Sequence, residues 1–386
     1  MNNLIYSTSF AFFLFTTHIS AIISEEVDLK INEQEIDQKG VRLSDEDAKK
    51  PLKTASHKIV RRAAFDIGSG QIKMQVSDVD LTANKIIKVL FTDTAYVGLR
   101  ENLVKSLDGR LSSDVQNKTV EAISELMKKA APFHPEAYHA IATEALRLAK
   151  NADTLVERIK NETGMSVTIV SQEEEGILGF ISAVNEVDVD PEKVVSWDFG
   201  GGSFQITTKC GDHYSVYWGR LGKTPMKNIL LKIQGKDEDP TSSPNPISKS
   251  QATQAIQFIK DTINNVPIEI RQKLKHPDVV VLGVGINPIW GMQNSTHFDS
   301  NRVLKELDCR LNLDDAAIRL KDSIPADRKE AFPYVVSNLI LSYGVMEALD
   351  ITRVHYVGTQ GANAVGALLS PKYWVGCEIN QKHYLE

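Results

Sequence analysis

Two stretches of this chain decide its fold: FDIGSG at residues 65–70 and WDFGGGS at residues 197–203. In each stretch an apolar run ends at an aspartate, a glycine-rich turn follows, and apolar residues resume after it. This pattern predicts a strand, a tight turn and a returning strand. Because the same device occurs twice, we infer an internal duplication that produces two similar α/β domains.

Helices are predicted between and after these stretches from the spacing of apolar residues. One apolar stripe predicts a helix over 113–130, and another predicts a single helix over 145–159 that ends at Gly164. Ser171 precedes three consecutive glutamates, which is typical of a helix N-cap followed by an acidic first turn. A further apolar segment predicts a helix near 335–349.

Short apolar runs alternate with these helices and predict strands. They lie at 138–143, 167–170 and 278–282, and the last is followed by a third predicted glycine turn at 283–285. Alternation of strands with helices is typical of α/β domains. The sequence therefore predicts an N-terminal domain over 61–187 and a C-terminal domain over 188–386.

The composition excludes several classes of protein. The chain has 386 residues, of which 42% are hydrophobic and 24% charged, so it can bury real cores and is not a disordered or fibrous chain. Its formal net charge of −6 argues against a binder of duplex nucleic acid. The cysteines Cys210, Cys309 and Cys377 lie far apart, which excludes a dense disulfide framework and a CxxC zinc site.

The first 24 residues carry no Asp, Glu, Lys or Arg and contain an apolar core, which is typical of a secretory signal peptide. An uncleaved membrane anchor is the alternative, because the apolar stretch approaches the length of roughly 20 residues that a span needs. Residues 25–60 are mostly polar and charged and predict a solvated linker. These features predict a secreted or periplasmic protein.

The two glycine turns are candidate phosphate-binding loops, because backbone N–H groups without an obstructing Cβ can approach an anion closely. The predicted phosphate-binding residues are Gly68, Ser69, Gly70, Gly200, Gly201, Gly202 and Ser203. Each turn follows an aspartate, and Asp66 and Asp198 are candidate ligands of Mg²⁺. An ordinary hairpin turn is the better explanation of one such stretch alone, but two matching turns with the same preceding aspartate favour a shared anion site.

Three other side chains suit chemistry on a phosphate. Arg147 follows a predicted strand and is a candidate phosphate clamp, although a solvated helix arginine is the alternative. Glu175, flanked by Gly176, is a candidate base that deprotonates water. Gln205 lies on the strand after the second turn and is able to position a water by hydrogen bonds, or is merely a polar strand residue.

At these residues the chain resembles the exopolyphosphatase / guanosine pentaphosphate phosphohydrolase (Ppx/GppA) family of the actin-like ATPase superfamily. The resemblance rests on four motifs in order: FDIGS at 65–69, ATEALR at 142–147, IVSQEEEG at 169–176 and WDFGGGS at 197–203. It implies two ribonuclease-H-like domains with the active site in the interdomain cleft. It also implies Mg²⁺-dependent hydrolysis of a terminal phosphoanhydride bond and a homodimer.

By the same resemblance, Glu175 matches the family's catalytic base, Arg147 its phosphate-binding arginine and Asp198 its metal-site aspartate. The chain departs from the family at Gly70, where Asn is frequent, and at Gln205, where Glu is usual. In having glutamine at position 205, the chain resembles the related apyrases, which also have an acidic Glu-Gly motif like Glu175-Gly176.

The sequence thus predicts a phosphoanhydride hydrolase that releases terminal phosphate from polyphosphate or guanosine pentaphosphate, with Glu175 activating water. One alternative is an apyrase-like nucleoside tri- or diphosphate hydrolase. A second alternative is a protein that binds a phosphate ligand without turnover.

Overall fold

The computed structural model describes residues 58–202, 204–219, 221–239, 241–285, 289, 295–325, 328, 331–358 and 361–375. The predicted signal peptide, most of the predicted linker, Ser203 and Cys377 lie outside these residues, so the leader and the localisation stay predictions. Within the described residues, no helix combines the length and the apolar character that a membrane span requires.

The first sheet is built around the FDIGSG stretch. Its strands are β1 (Ile59–Ile67), β2 (Gln71–Asp80), β3 (Lys85–Tyr96), β4 (Ala137–Ala142) and β5 (Ser166–Ile169). They lie in the order β3-β2-β1-β4-β5. β1 and β2 form the predicted antiparallel hairpin, and β1, β4 and β5 run parallel.

The second sheet repeats this arrangement around the WDFGGGS stretch. Its strands are β6 (Val194–Phe199), β7 (Phe204–Cys210), β8 (His213–Gly219), β9 (Val280–Val284), β10 (His297–Asp299) and β11 (Arg353–Tyr356). The order is β10-β11-β9-β6-β7-β8, with β6, β9 and β11 parallel and β6–β7–β8 antiparallel. The α/β class with two similar sheets is confirmed.

Twelve helices occur in the described residues. They are α1 (Leu99–Lys105), α2 (Ser113–Ala130), α3 (Glu144–Leu148), α4 (Ala152–Thr163), α5 (Gln172–Asn185), α6 (Lys223–Ile233), α7 (Lys249–Thr262), α8 (Ile268–Leu274), α9 (Ser300–Asp308), α10 (Asp315–Lys321), α11 (Phe332–Ala348) and α12 (Ala362–Leu369). The prediction for α2 is confirmed at both ends, and Ser171 caps α5 by accepting from the Glu174 N–H.

The predicted single helix over 145–159 is wrong, because α3 and α4 are separated at residues 149–151. The side chain of Asn151 accepts from the N–H of Leu111 at 2.8 Å and donates to its carbonyl oxygen at 2.9 Å. These bonds to a residue 40 positions away stabilise the break. The apolar stripe continues across it and gives no sign of it.

The predicted glycine turn at 283–285 is also wrong, because Gly283 and Val284 belong to β9. A Cβ atom at Gly283 would overlap the Tyr356 ring, so the glycine allows that ring to pack against the sheet. Only Gly285, with φ of +80°, leaves the extended conformation.

Helices α5 and α12 pack against each other and connect the two sheets. A Cβ atom at Gly366 of α12 would overlap the carbonyl oxygen of Leu178 in α5, so the helices cross at close range. α5 packs on β6, β7, β8 and β9, whereas α12 packs on β1 and β2. The C-terminal segment therefore supplies one helix, α12, to the first sheet. The aspartates that precede the two hairpin turns lie near this helix pair, Asp66 beside Asn363 of α12 and Asp198 beside Gly179 of α5.

Candidate active site

The two hairpins place their functional side chains in equivalent positions. Asp66 in β1 lies directly opposite Lys73 in β2, and Asp198 in β6 lies directly opposite Gln205 in β7. Residues directly opposite in an antiparallel pair project to the same face of the sheet. Each aspartate therefore shares its face with the residue seven positions later, and the internal duplication extends to the site.

The two glycine loops approach one carboxylate, that of Glu144 at the start of α3. Ser69 of the first loop donates from Oγ to Glu144 Oε2 at 3.3 Å. On the other side, a Cβ atom at Gly202 would lie 2.6 Å from the same Oε2 atom. Ser69 and Gly202 therefore both lie beside the Glu144 carboxylate, and a shared anion site stays a prediction. Glu144 belongs to the ATEALR motif at 142–147, but no role was predicted for it from the sequence.

The second loop is held by the N-terminus of α6. The N–H groups of Lys223 and Thr224 donate to the carbonyl oxygens of Gly200 and Gly201 at 3.2 and 2.9 Å. Because the C=O and N–H groups of a peptide unit point in opposite directions, the N–H groups of Gly201 and Gly202 point away from α6. They are thus presented as a pair of donors to an anion.

The three glutamates at the start of α5 point in different directions, as successive helical residues must. Glu173 is exposed, and Glu174 accepts hydrogen bonds from Lys372 and Tyr373. Glu175 faces the site, with its side chain only 13% exposed. Among the three, Glu175 is the buried glutamate that contacts Arg147.

Arg147 and Glu175 form an ion pair, with 2.8 Å between Nη2 and Oε2. The guanidinium also donates from Nη1 to the carbonyl oxygen of Val170 at 2.8 Å, which fixes its plane. Burial raises the pKa of Glu175 to about 7, Arg147 opposes this rise, and the charges of Asp198 and Asp66 add to it. A carboxylate with a pKa near neutrality suits proton transfer at physiological pH.

The two aspartates influence one another. Burial, together with the charge of Asp66, raises the pKa of Asp198 to about 6, and Lys73 and Lys223 oppose this rise. Burial also raises the pKa of Asp66, while Lys73 and a 3.3 Å hydrogen bond from Asn363 Nδ2 oppose the rise. Both carboxylates therefore lie in one electrostatic cluster with Glu175 and favour an added positive charge.

Two lysines of this cluster were not predicted from the sequence. Lys73 lies in β2 opposite Asp66, and Lys223 is the first residue of α6. Burial lowers the pKa of Lys223, Lys73 lowers it further, and Asp198 raises it. The spacing of seven residues that relates Asp198 to Gln205 also relates Asp66 to Lys73, and it was the available signal for Lys73.

Gln205 is 2% exposed, which rules out an outward-facing strand position. Its surroundings explain two glycines of α5. A Cβ atom at Gly176 would lie 2.8 Å from Thr207 Oγ1 and 3.2 Å from Gln205 Cβ, and one at Gly179 would lie 3.5 Å from Asp198 Oδ2. The glycines let α5 approach β7, and this approach brings Glu175 beside the aspartates.

The donor set fits a hard divalent cation with oxygen ligands. Within the described part of the chain, Asp66 Oδ1 and Asn363 Oδ1 are buried and have no hydrogen-bond partner. Carboxylate and amide oxygens suit Mg²⁺, which is usually held by one or two carboxylates together with water and substrate phosphate. The described residues contain no group of three His, Cys, Asp or Glu side chains that could hold a metal ion.

Part of the chain matches a known protein family. Residues 76–217 match the family model described as the Ppx/GppA phosphatase family. The resemblance to the Ppx/GppA family is confirmed. The matched range includes Arg147, Glu175, Asp198 and Gln205, and it begins after the first glycine loop.

Curated relatives match over less than half of the chain. Exopolyphosphatase 1 of Mycobacterium leprae is 24% identical over 150 residues, which is 38% of this chain and 42% of that protein. Retrograde regulation protein 2 of Saccharomyces cerevisiae is 30% identical over 159 residues, which is 39% of this chain and 26% of that protein. The chain thus spans less than half the length of these relatives.

A solved structure extends the comparison to both sheets. The crystal structure of the Ppx/GppA family member from Aquifex aeolicus has a TM-score of 0.64 and 20% sequence identity, and the match covers 81% of this chain and 97% of that one. At this identity the likeness establishes the fold. The predicted two-domain α/β fold of the Ppx/GppA proteins is therefore confirmed.

Proposed function

We propose that this protein hydrolyses the terminal phosphoanhydride bond of a polyphosphate or a nucleoside polyphosphate. The observation that carries the proposal is the cluster of Glu175, Asp198 and Asp66, in which the pKa of Glu175 is raised to about 7 beside the Arg147 guanidinium. The similarity to exopolyphosphatases supports the substrate class.

In this proposal Glu175 accepts a proton from the attacking water. A positioned general base contributes a rate factor of roughly 10²–10⁴ when its pKa lies near the working pH. Arg147 holds Glu175 in place through the 2.8 Å ion pair and presents its remaining N–H groups to the phosphoryl oxygens. The loop N–H groups of Gly201 and Gly202 stabilise the negative charge that develops on the substrate.

Asp66 and Asp198 would hold Mg²⁺, with Asn363 Oδ1 as a further oxygen ligand. Bound there, the cation would neutralise phosphate charge as a Lewis acid. Lys73 and Lys223 contribute positive charge beside the aspartates, and both attract a polyanion to the site.

Gln205 favours the apyrase-like reading as a second candidate. An amide at this buried position positions water without adding a third negative charge beside Asp198. The alternative of binding without turnover predicts the same ligand contacts and no phosphate release.

The test is a phosphate-release assay with long-chain polyphosphate, tripolyphosphate, ATP, ADP and guanosine pentaphosphate, with Mg²⁺ or with a chelator. We expect release in Mg²⁺ and loss by a factor of about 100 or more in Glu175→Gln. Glu173→Gln is the matched control, because Glu173 is exposed in the same helical turn and should retain wild-type rates.

Each outcome assigns the function. Release from polyphosphate and guanosine pentaphosphate supports the primary proposal, and release from ATP and ADP alone supports the apyrase-like candidate. Ligand binding with no release from any substrate would refute hydrolysis. Equal rates for Glu175→Gln and Glu173→Gln would refute the assignment of Glu175 as the base.

A further inference from the structure

A cavity of about 600 Å³ opens beside the cluster, between the β2–β3 ribbon and the ends of helices α5 and α12. Lys73 belongs to both the cluster and the cavity lining. Its size lies within the range of roughly 300–1,000 Å³ that small-molecule sites occupy. The cavity is therefore large enough for a group attached to the phosphates that reach the aspartates.

The floor of the cavity is one face of the β2–β3 ribbon. Lys73 lies opposite Thr94, and Gln75 lies opposite Thr92, so these four side chains project to the same face. Further along the ribbon, Val89 lies opposite Ser77 on that face. The floor thus changes from a cation near the cluster to hydroxyl and amide groups and then to apolar surface.

The walls come from the C-terminus of α5, the segment after β11 and helix α12. Val365 of α12, Gly358 after β11 and Glu186 at the C-terminus of α5 line the cavity, with Ile86 of β3 beside them. The N–H of Ile86 donates to the side chain of Asn185 at 3.1 Å, which ties this end of α5 to the ribbon. Packed elements therefore bound the cavity on these sides.

The lining charges do not suit a polyanion. Among the described residues that line the cavity, Lys73 is the only cation, and Glu186 opposes it. Asp93 also borders the cavity, and its carboxylate pairs with Lys129 at 2.7 Å. A polyphosphate chain carries about one negative charge per phosphate and would need several cations along its path.

We propose that this cavity binds the nucleoside end of a nucleoside polyphosphate whose phosphates pass Lys73 to the Asp66–Asp198 cluster. The apolar patch of Val89, Ile86 and Val365 suits the face of a base, and Thr92, Thr94 and Gln75 offer hydrogen-bond partners for a base edge or ribose hydroxyl. This inference rests on the proposed function for the phosphate end and specifies its substrate class.

The test compares binding of ATP, GTP and tripolyphosphate by calorimetry, in Mg²⁺ and in the Glu175→Gln background, which prevents turnover. ATP or GTP should bind at least about tenfold more tightly than tripolyphosphate. Val89→Trp fills the apolar end of the cavity and should remove this preference. Ile87→Trp is the matched control, since Ile87 and Val89 are 51% and 52% exposed in the same strand and Ile87 does not line the cavity.

Tripolyphosphate binding as tight as that of ATP and GTP would overturn the proposal, as would equal weakening of all three ligands by Val89→Trp. Thr92→Trp fills the same face from an exposed position and repeats the test if Val89→Trp fails to fold. Because binding is measured without turnover, a nucleoside preference in a protein that releases no phosphate would refute only the hydrolytic function.

Discussion

The pH dependence of turnover follows from the burial of Glu175, whose effect on its pKa Arg147 opposes. With a pKa of about 7, Glu175 is about 1% deprotonated at pH 5, so kcat/KM should fall about 100-fold there from its plateau above pH 8. Because Glu175 acts as a base, it must be deprotonated to function. Activity is therefore lost as the pH falls through 7.

Replacement of Arg147 should move the acidic limb of the pH profile, where kcat/KM falls, to higher pH. An adjacent opposite charge typically lowers the pKa of a carboxyl group by about 1–3 units, so Arg147→Met should shift the limb from about 7 to about 8–10. Arg147 acts on the pKa of Glu175, whereas Asp66, Lys73 and Lys223 are the charges that act on Asp198. A shifted limb therefore reports Glu175.

The assay is kcat/KM for tripolyphosphate or ATP between pH 5 and 9.5. Arg158→Met is the matched control, because Arg158 pairs with Glu162 at 2.9 Å on the surface of α4, away from the cluster. A limb near the ordinary carboxyl pKa of about 4.5, or a limb that Arg147→Met leaves in place, would refute the reasoning.

Three further predictions concern the loops and the metal. Gly202→Ala should lower kcat/KM about tenfold or more, because its Cβ would lie 2.6 Å from Glu144 Oε2. Gly201→Ala is the control and should not lower kcat/KM, because nothing lies within 4 Å of its Cβ. Equal effects of the two substitutions in a steady-state assay would contradict this prediction. Asp198→Asn should raise the free energy of unfolding at pH 8 in a chelator by about 1–3 kcal/mol. The reason is that the pKa of Asp198 in the folded state, about 6, exceeds its value in the unfolded state. Wild type therefore loses stability as the pH rises from about 4 to 6. Urea unfolding should show this gain vanishing near pH 4, and addition of Mg²⁺ should stabilise wild type more than Asp198→Asn; a pH-independent difference or equal stabilisation would argue against the buried charge or the metal site. Gln205→Glu should lower the Mg²⁺ concentration needed for half-maximal activity, since it adds a carboxylate opposite Asp198, and an unchanged Mg²⁺ titration would place residue 205 outside the metal environment.

The sequence predicted those features of the fold that local pattern determines. The two hairpins, α2 and the Ser171 cap follow from apolar period, turn residues and capping chemistry, all of which act within a few residues. The break between α3 and α4 depends on Asn151 bonding to Leu111, and Gly283 depends on the Tyr356 ring. Both contacts join residues distant in sequence, so local pattern could not reveal them.

The site was predicted less completely than the fold. Two matched turns indicated that Asp66 and Asp198 share a function, and Glu175 was selected from three adjacent glutamates by its glycine neighbour and by the resemblance to the Ppx/GppA family. Lys223 enters the cluster because the start of α6 packs beneath the second loop, and Glu144 because it lies between the loops. These placements depend on how the two sheets meet, and the α5–α12 crossing determines this.

Amide hydrogen exchange tests most directly whether both glycine loops bind one substrate. Tripolyphosphate and Mg²⁺ would be titrated into the Glu175→Gln variant while exchange is followed in peptides covering residues 66–73 and 198–205. The account predicts that both peptides become protected with the same midpoint concentration. Protection of one peptide alone, or of the two at different midpoints, would contradict a shared site.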